Sequence, residues 1–584
     1  MSKAVQLSYN QAGYLRHGPK FAALARETSG QLPWTLSEAA TGVVQIQGIT
    51  LPAYRDPLTG ALLHCADFSS FKTAGVYIIQ IDEIPSEPFR IGDDLYGTLT
   101  RDALHFFYLM RSGIALTEQY AGKAWARPAG HLSDKDIRAF AGTDAQGTKW
   151  DGCSFSIDGS GGWYDAGDYG KYVVNGGISV WTLQNAFERM PDSFSDGDLA
   201  IPEQQNGIPD ILDETRWELE FLLRMQIPSG QPLGGMAFHK LHDRVWSGVP
   251  AELPTYMDNN NEMKVGASWG RYVYEPTTAA TLNLAACAAQ AGRIWKTFDK
   301  AFAERCITAA EQAWEAARTN PIILAGNVPG AGGGNYDDVN VEDDFYWAAC
   351  ELYASTGKPE YEAFIRNSPY FKTFQGLNGH GAAYSMNWAD TAALGSITLV
   401  TVKTALSEKD INEIKDLIVK TADRYAVIQR NDAYATPIDA SGFVWGSNSM
   451  VLNNAIILAL AHDITGDRSY LSAVSRAMDY LLGYNSLRKS FVSGYGIDTL
   501  EHPHHRFWAN DPVKGLPPPP PGVICGGPNA QIQDPVAEAL GLIHRPIPMR
   551  YVDEIGSFAT NEVAINWNAP LVWVASFLHR AFQR

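Results

Sequence analysis

The 584-residue chain contains no run of about 18 apolar residues, so the sequence offers no membrane-spanning helix. Its first residues, MSKAVQLSYN, lack the apolar core of a secretory signal. Two expectations for location follow: secreted or periplasmic, with the leader absent from this chain, or cytoplasmic. Positive charge is in short supply, with 46 Lys and Arg against 64 Asp and Glu and no basic run. The formal net charge of −18 argues against a nucleic-acid partner, because phosphate-binding surfaces need clustered cations. A neutral or cationic substrate fits better than an acidic polymer. Cysteine is sparse: Cys65, Cys153, Cys287, Cys306, Cys350 and Cys525 are scattered, without a CxxC pair. Neither a disulfide framework nor a cysteine zinc site is expected.

Aromatic residues, in contrast, are plentiful: 16 Trp, 26 Tyr and 24 Phe. Aromatic faces stack on sugar rings, and they also fill large cores, so the count alone does not choose. The first ninety or so residues read as β structure. Short runs such as FAALAR, VVQIQGI and GVYIIQI are separated by turn signals, including Asp-Pro-Leu-Thr-Gly at 56–60. About seven short strands in that length suggest an immunoglobulin-like sandwich, placed at 1–93. From 94 to 584 helical periodicity dominates. Residues 206–226 put Ile211, Thr215, Leu219, Leu222 and Leu223 on one face, opposite Asp213, Glu214 and Glu220. Similar patterns occupy 98–111, 173–189, 277–294, 299–317, 342–356, 390–406, 408–427, 448–464, 467–483 and 562–582. Long loops separate them, notably 227–276, the Gly-rich 318–340, and 485–530 with five consecutive prolines at 517–521.

Four constellations have the residue types that chemistry needs. Asp165 and Asp168, three apart among glycines before an apolar helix, can aim two carboxylates at one water; acids near a helix N-terminus would look the same. Glu562 enters a segment rich in Val563, Ile565, Leu571 and Val572, where desolvation would raise its pKa as a proton donor requires; a capping glutamate is the alternative. Glu501-His502-Pro503-His504-His505-Arg506 is poor as a metal site and better suited to hydrogen-bonding sugar hydroxyls. Asp337, Asp338, Glu342, Asp343 and Asp344, with Asp390 downstream, supply hard oxygen ligands of the kind calcium takes, or solvated acids capping a helix.

Taken together, these residues resemble the family 9 glycoside hydrolases, the cellulase family E. Tyr551, Asp553, Phe558, Glu562, Ala564, Asn568 and Ala569 match the family's acid signature, and DAGD at 165–168 matches its base motif. Ser490 through Arg506 matches most of the histidine signature, departing at Asp498, where the family has Asn, Lys or Arg. The resemblance covers nearly all of 95–584 and extends to the subgroup with an immunoglobulin-like N-terminal module. It implies an (α/α)6 barrel after an all-β sandwich, and inverting hydrolysis of β-1,4-glucosidic bonds in cellulose, soluble β-glucan or cello-oligosaccharides, endo-acting. Exo-action on short oligosaccharides, as a β-glucosidase or exo-β-glucosaminidase with Asp144 reading an amino group, is the alternative. A catalytically dead sugar-binding protein is a further one, disfavoured because all three carboxylates are present. By motif, Asp168 is the base, Asp165 helps hold the water, and Glu562 is the acid. His504, Arg506, Trp445 and Tyr551 would contact sugar, and Asp343, Asp344 and Asp390 would hold calcium. Zinc is not expected, since Ala129-Gly130-His131 lacks the cysteine that some relatives place there. No organic cofactor is implied, and a monomer is expected.

Overall fold

The structure is a computed structural model that describes residues 6–143, 147–248, 270–326, 332–374 and 384–583. Asp144 lies outside these. Ten strands make the N-terminal sandwich. β1 (Ser8–Tyr9), β3 (Phe21–Ala25), β7 (Leu62–Asp67) and β6 (Tyr54–Arg55) form one sheet in the order β1-β3-β7-β6. The other runs β2-β10-β8-β4-β5, built from β2 (Tyr14–Leu15), β10 (Phe89–Gly92), β8 (Gly75–Ile81), β4 (Pro33–Glu38) and β5 (Val44–Ile49). The short β9 (Ile84–Pro85) pairs with β8. The period of two is plain in β8, where Tyr77, Ile79 and Ile81 are buried and their neighbours are less so. Those residues meet Trp34, Leu36, Phe68 and Phe89 in a core of their own.

Among the described residues, twelve helices of nine residues or more follow. They are α1 (Tyr96–Met110), α2 (Val173–Arg189), α3 (Asp210–Arg224), α4 (Thr278–Ile294), α5 (Lys300–Thr319), α6 (Glu342–Thr356), α7 (Pro359–Asn367), α8 (Ala392–Thr401), α9 (Glu408–Arg430), α10 (Ser447–Thr465), α11 (Arg468–Leu481) and α12 (Ile565–Gln583). The even-numbered helices are buried over most of their surface, whereas the long odd-numbered helices α5 and α9 bury a single stripe. Hence α2, α4, α6, α8, α10 and α12 form an inner ring and the others an outer one. α12 closes the ring, packing on α10, α1 and α2. This is the (α/α)6 barrel expected, and eleven of the twelve helices fall within about five residues of the predicted ones; the short α7 lies in a stretch where no helix was expected. Two further differences stand out. The expected loop 227–276 contains two paired strands, Ala237–Asp243 and Arg271–Thr277, which add to Lys171–Tyr172 to make a three-stranded sheet beside the ring. Glu562 does not start the last helix. It lies in extended backbone between a single turn at Phe558–Asn561 and α12, because its carbonyl accepts from Gly526 N at 2.9 Å and its chain pairs with His504.

The sandwich is bonded to the barrel through the outer helix α11 and the chain that follows. Asn10 Nδ2 donates to Asp479 Oδ1 at 2.8 Å, Ser8 Oγ to Asn485 O at 3.0 Å, and Gln11 N to Leu482 O at 2.9 Å. The Arg476 guanidinium lies 4.1 Å over the Phe21 ring and 4.3 Å over Tyr484. Asp498, at the family's variable position, pairs with Lys489 at 2.8 Å, while the Ile497 and Asp498 amides donate to the Gln11 carboxamide. All six cysteines are free thiols.

Candidate active site

The DAGD turn hangs between the end of α1 and the start of α12. Tyr164 N donates to Met110 O at 2.8 Å, Asp165 N to Gly170 O at 2.9 Å, and Ile565 N to Asp165 O at 2.9 Å. Buried ion pairs brace it from below: Asp134 takes both Lys171 and Arg271 at 2.8 Å, and Arg271 also donates to Tyr169 O. Gly167 is required by a close approach, since a Cβ there would come within 2.1 Å of the His504 carbonyl oxygen. That contact presses the base turn against the histidine loop, and Arg506 locks it. Its guanidinium donates to Gly167 O at 2.6 Å and to the hydroxyl and carbonyl of Ser247, both at 2.8 Å.

Each aspartate of the turn has its own donors. Asn175 Nδ2 donates to Asp165 Oδ1 at 2.9 Å and Tyr336 OH to Asp165 Oδ2 at 2.7 Å. Tyr172 OH donates to Asp168 Oδ2 at 2.8 Å and Gly170 N to the same oxygen at 3.2 Å. Burial, reinforced by the charge of Asp168, pushes the Asp165 carboxyl up to about 7. Glu562 faces both. Burial first, then Asp168 and Asp165, raises its carboxyl well above the ordinary range, with Arg506 opposing. A carboxyl so placed keeps its proton near neutrality, as a general acid must. His504 is held neutral, its pKa lowered to about 4 by burial and by Arg506, and its Nδ1 is engaged with Ile555 O at 2.6 Å.

Asp165, Asp168 and Glu562 line one cleft of about 740 Å³. Its walls are aromatic: Trp246, Tyr336, Tyr384, Trp388, Trp445 and Trp567. Trp445 is 36% exposed and tilted over Phe558 with centroids 5.6 Å apart. Tyr551 requires a correction. It is 4% exposed and does not line the cleft; its hydroxyl donates to Asn561 Oδ1 at 2.6 Å, anchoring the residue before the acid instead of a sugar. Asp553 lies beside it, accepting from the Glu501 and His502 amides and from Asn561 Nδ2. Sequence reasoning missed Tyr172, Asn175, Tyr336, Trp246 and Trp388. Tyr172 and Asn175 lie within ten residues of the aspartates, but Tyr336 arrives through Gly332-Gly333-Gly334. A Cβ at Gly332 would come within 1.8 Å of Asp243 O, and one at Gly333 within 2.7 Å of Tyr172 OH. The glycine run lets this loop lie directly on the sheet.

The acidic cluster sits at the N-terminus of α6. Asp343 Oδ2 accepts from Thr391 N at 2.8 Å, and Asp344 Oδ1 from Asn283 Nδ2 at 3.2 Å and Thr391 Oγ1 at 3.1 Å. Asp390 accepts from Asn387 at 2.9 Å and lines the cleft. Buried oxygens of Asp338, Asp343 and Asp344 have no partner. Among the described residues, no three acidic, His or Cys side chains already stand in ligand geometry. Unpartnered carboxylate oxygens are the donor type a hard cation takes.

Residues 96–575 match Glycosyl hydrolase family 9, and residues 3–86 match the cellulase N-terminal ig-like domain. The chain is 41% identical, over 97% of its length, to a cellulose 1,4-beta-cellobiosidase of Acetivibrio thermocellus. It is 39% identical over 97% to endoglucanase C of Cellulomonas fimi. It spans 66% and 51% of those two relatives. The crystal structure of a metagenome-derived glycoside hydrolase family 9 endoglucanase superposes with a TM-score of 0.83 at 32% identity, covering 99% of this chain and all of the other. With two aspartates and a glutamate meeting in one cleft of the same barrel, the chain belongs to glycosyl hydrolase family 9.

Proposed function

We propose that the protein hydrolyses β-1,4-glucosidic bonds with inversion. The observation that carries this reading is the meeting of Asp168 and Glu562 in one aromatic-walled cleft, with Glu562 held protonated. Glu562 gives its proton to the leaving glycosidic oxygen. Asp168 removes a proton from a water that attacks the anomeric carbon from the opposite face, and Asp165 holds that water. Inversion needs room for the water, so the carboxyl groups act from roughly 6.5–9.5 Å apart. Tyr172, Tyr336 and Asn175 keep the two aspartates aimed. His504, paired with the Glu562 backbone, is the proposed sugar contact at the scissile bond, while Arg506, 4% exposed and engaged with Gly167 and Ser247, acts by holding the two loops together. Trp445 offers a half-open ring face for stacking.

NMR of the first product from a soluble β-glucan tests the stereochemistry: α-anomer is expected, and initial β-anomer refutes inversion. The relatives' names include both a cellobiosidase and an endoglucanase. Endo-action is the reading preferred here; rapid viscosity loss relative to reducing-end release supports it, and release without viscosity loss points to exo-action. A polymeric glucan does not enter a cell, which supports action outside it. For calcium, Asp343 and Asp344 with Asp338 and Asp390 are the proposed ligands, because oxygen donors left unpartnered in a buried acidic cluster suit that ion. Its contribution there is charge neutralisation, which fixes the N-terminus of α6 and the turn before α8 at the cleft edge.

A further inference from the structure

Lys240 is a buried cation that the chemistry above does not use. It sits mid-strand in Ala237–Asp243, fully buried, and no carboxylate comes within salt-bridge distance among the described residues. Its neighbours in the same sheet are treated differently: Lys171 and Arg271 both pair with Asp134. An unpaired buried ammonium is strongly disfavoured, and burial lowers its pKa to about 7 against the pull of Asp168 and Asp337. The sheet supplies the reason for its place. Lys240 lies opposite Tyr172 on one side and Tyr274 on the other, its ammonium 5.7 Å from each ring. That ammonium donates to the Gly334 carbonyl. Gly334 N donates to the Tyr172 hydroxyl at 2.8 Å, and the hydroxyl donates to Asp168 Oδ2 at 2.8 Å. Lys240 and Tyr172 thus hold Gly334 from both sides, one at its carbonyl and the other at its N–H, and Tyr172 passes that hold on to the carboxylate.

We propose that Lys240 is a positioning residue for Asp168, fixing the Gly334 backbone so that the Tyr172 hydroxyl stays aimed at the base. The inference rests on the reading of Asp168 as the base. The buried ammonium also favours the Asp168 anion through space, an attraction that the low-dielectric interior strengthens. The other ionisable groups facing Lys240 are Tyr172, Tyr274, His239, His242 and Asp337, and burial keeps both histidines neutral.

The test measures kcat, KM and their pH dependence on a soluble β-glucan for Lys240→Met, Lys240→Arg, Tyr172→Phe and the Lys240→Met/Tyr172→Phe double variant, with Asp168→Asn alongside. Lys240→Met is expected to lower kcat about tenfold, with little change in KM, and to move the acidic limb of kcat/KM upward. Lys240→Arg should restore the limb toward wild type. The double variant should be little worse than Tyr172→Phe alone, because both side chains act through the Gly334 backbone. An unmoved acidic limb, or fully additive losses, overturns the proposal. If Lys240→Met does not fold, Tyr172→Phe and Lys240→Arg decide: an unmoved limb in the first, or a limb displaced as far in the second, overturns it. Full activity in Asp168→Asn would instead sink the assignment of the base.

Discussion

Two clusters of buried carboxylates lie within this barrel, and they are built differently. At the DAGD turn, Asp165 and Asp168 each receive two donors and face an open cleft. At the head of α6, Asp343 and Asp344 are closed in, and three oxygens of that cluster have no donor. Burial first, and repulsion behind it, raises carboxyls in both: Asp165 to about 7, Asp338 to about 6 and Asp343 to about 7. Crowded acids alone therefore do not mark a catalytic centre. Two donors to each aspartate and an open cleft set the first apart, and suit it to the proposed proton transfer. Missing donors set the second apart, and are the reason a cation is proposed there.

The largest expected effect attacks the first cluster. Asp168→Asn and Glu562→Gln should each lower kcat by about 10²–10⁴-fold, the usual worth of a general acid or base, with unchanged thermal unfolding. Near-normal turnover in either would erase the distinction drawn here. Gly167→Ala should come close behind, since its methyl would collide with the His504 carbonyl and push the base turn away from the acid; crystallography or activity assay would show it. The second cluster should answer to a chelator instead. Calcium at 100 times its Kd should stabilise the fold by about 2.7 kcal/mol, seen as a raised Tm that is lost in EGTA. Asp343→Asn should abolish that response while leaving the chemistry largely intact.

A subtler test uses pH. Glu562 must be protonated to act, so activity falls as pH rises through its raised pKa. Arg506 holds that pKa down. Arg506→Gln should therefore shift the alkaline limb of kcat/KM to higher pH, even as it weakens the clamp on Gly167. The smallest effect belongs to Trp445→Ala. Loss of one stacking face should raise KM a few-fold, from roughly 0.5–1.5 kcal/mol, with kcat little changed.

Much of this was legible in the sequence, for identifiable reasons. Helices such as Lys300–Thr319 and Glu408–Arg430 lie close to their expected bounds, because a single face that must be buried writes itself every 3.6 positions. The two aspartates and the glutamate were legible as a set, through motif spacing. What stayed hidden was whatever depends on distant chain segments meeting. Tyr336 reaches Asp165 across 171 positions, and nothing local marks it except the glycine run beside it. Tyr551 shows the converse: its motif is local, but its hydroxyl turns to Asn561 because the wall of the cleft, not its lumen, has the acceptor. Strands within 227–276 were obscured by the sparse alternation of a sheet buried on both faces, as in Ala237–Asp243.

The closing position of α12 has a consequence for how the molecule is made. The acid-bearing segment and the helix that seals the ring are made after every other helix of the barrel, while their partners α1 and α2 emerge hundreds of residues earlier. The sandwich, too, waits for α11 before its docking face is covered. Folding dominated by such non-local pairing is slow, and the unfinished barrel leaves apolar helix faces uncovered during synthesis. A nascent chain halted anywhere before residue 565 is an open bowl, a natural client for chaperones.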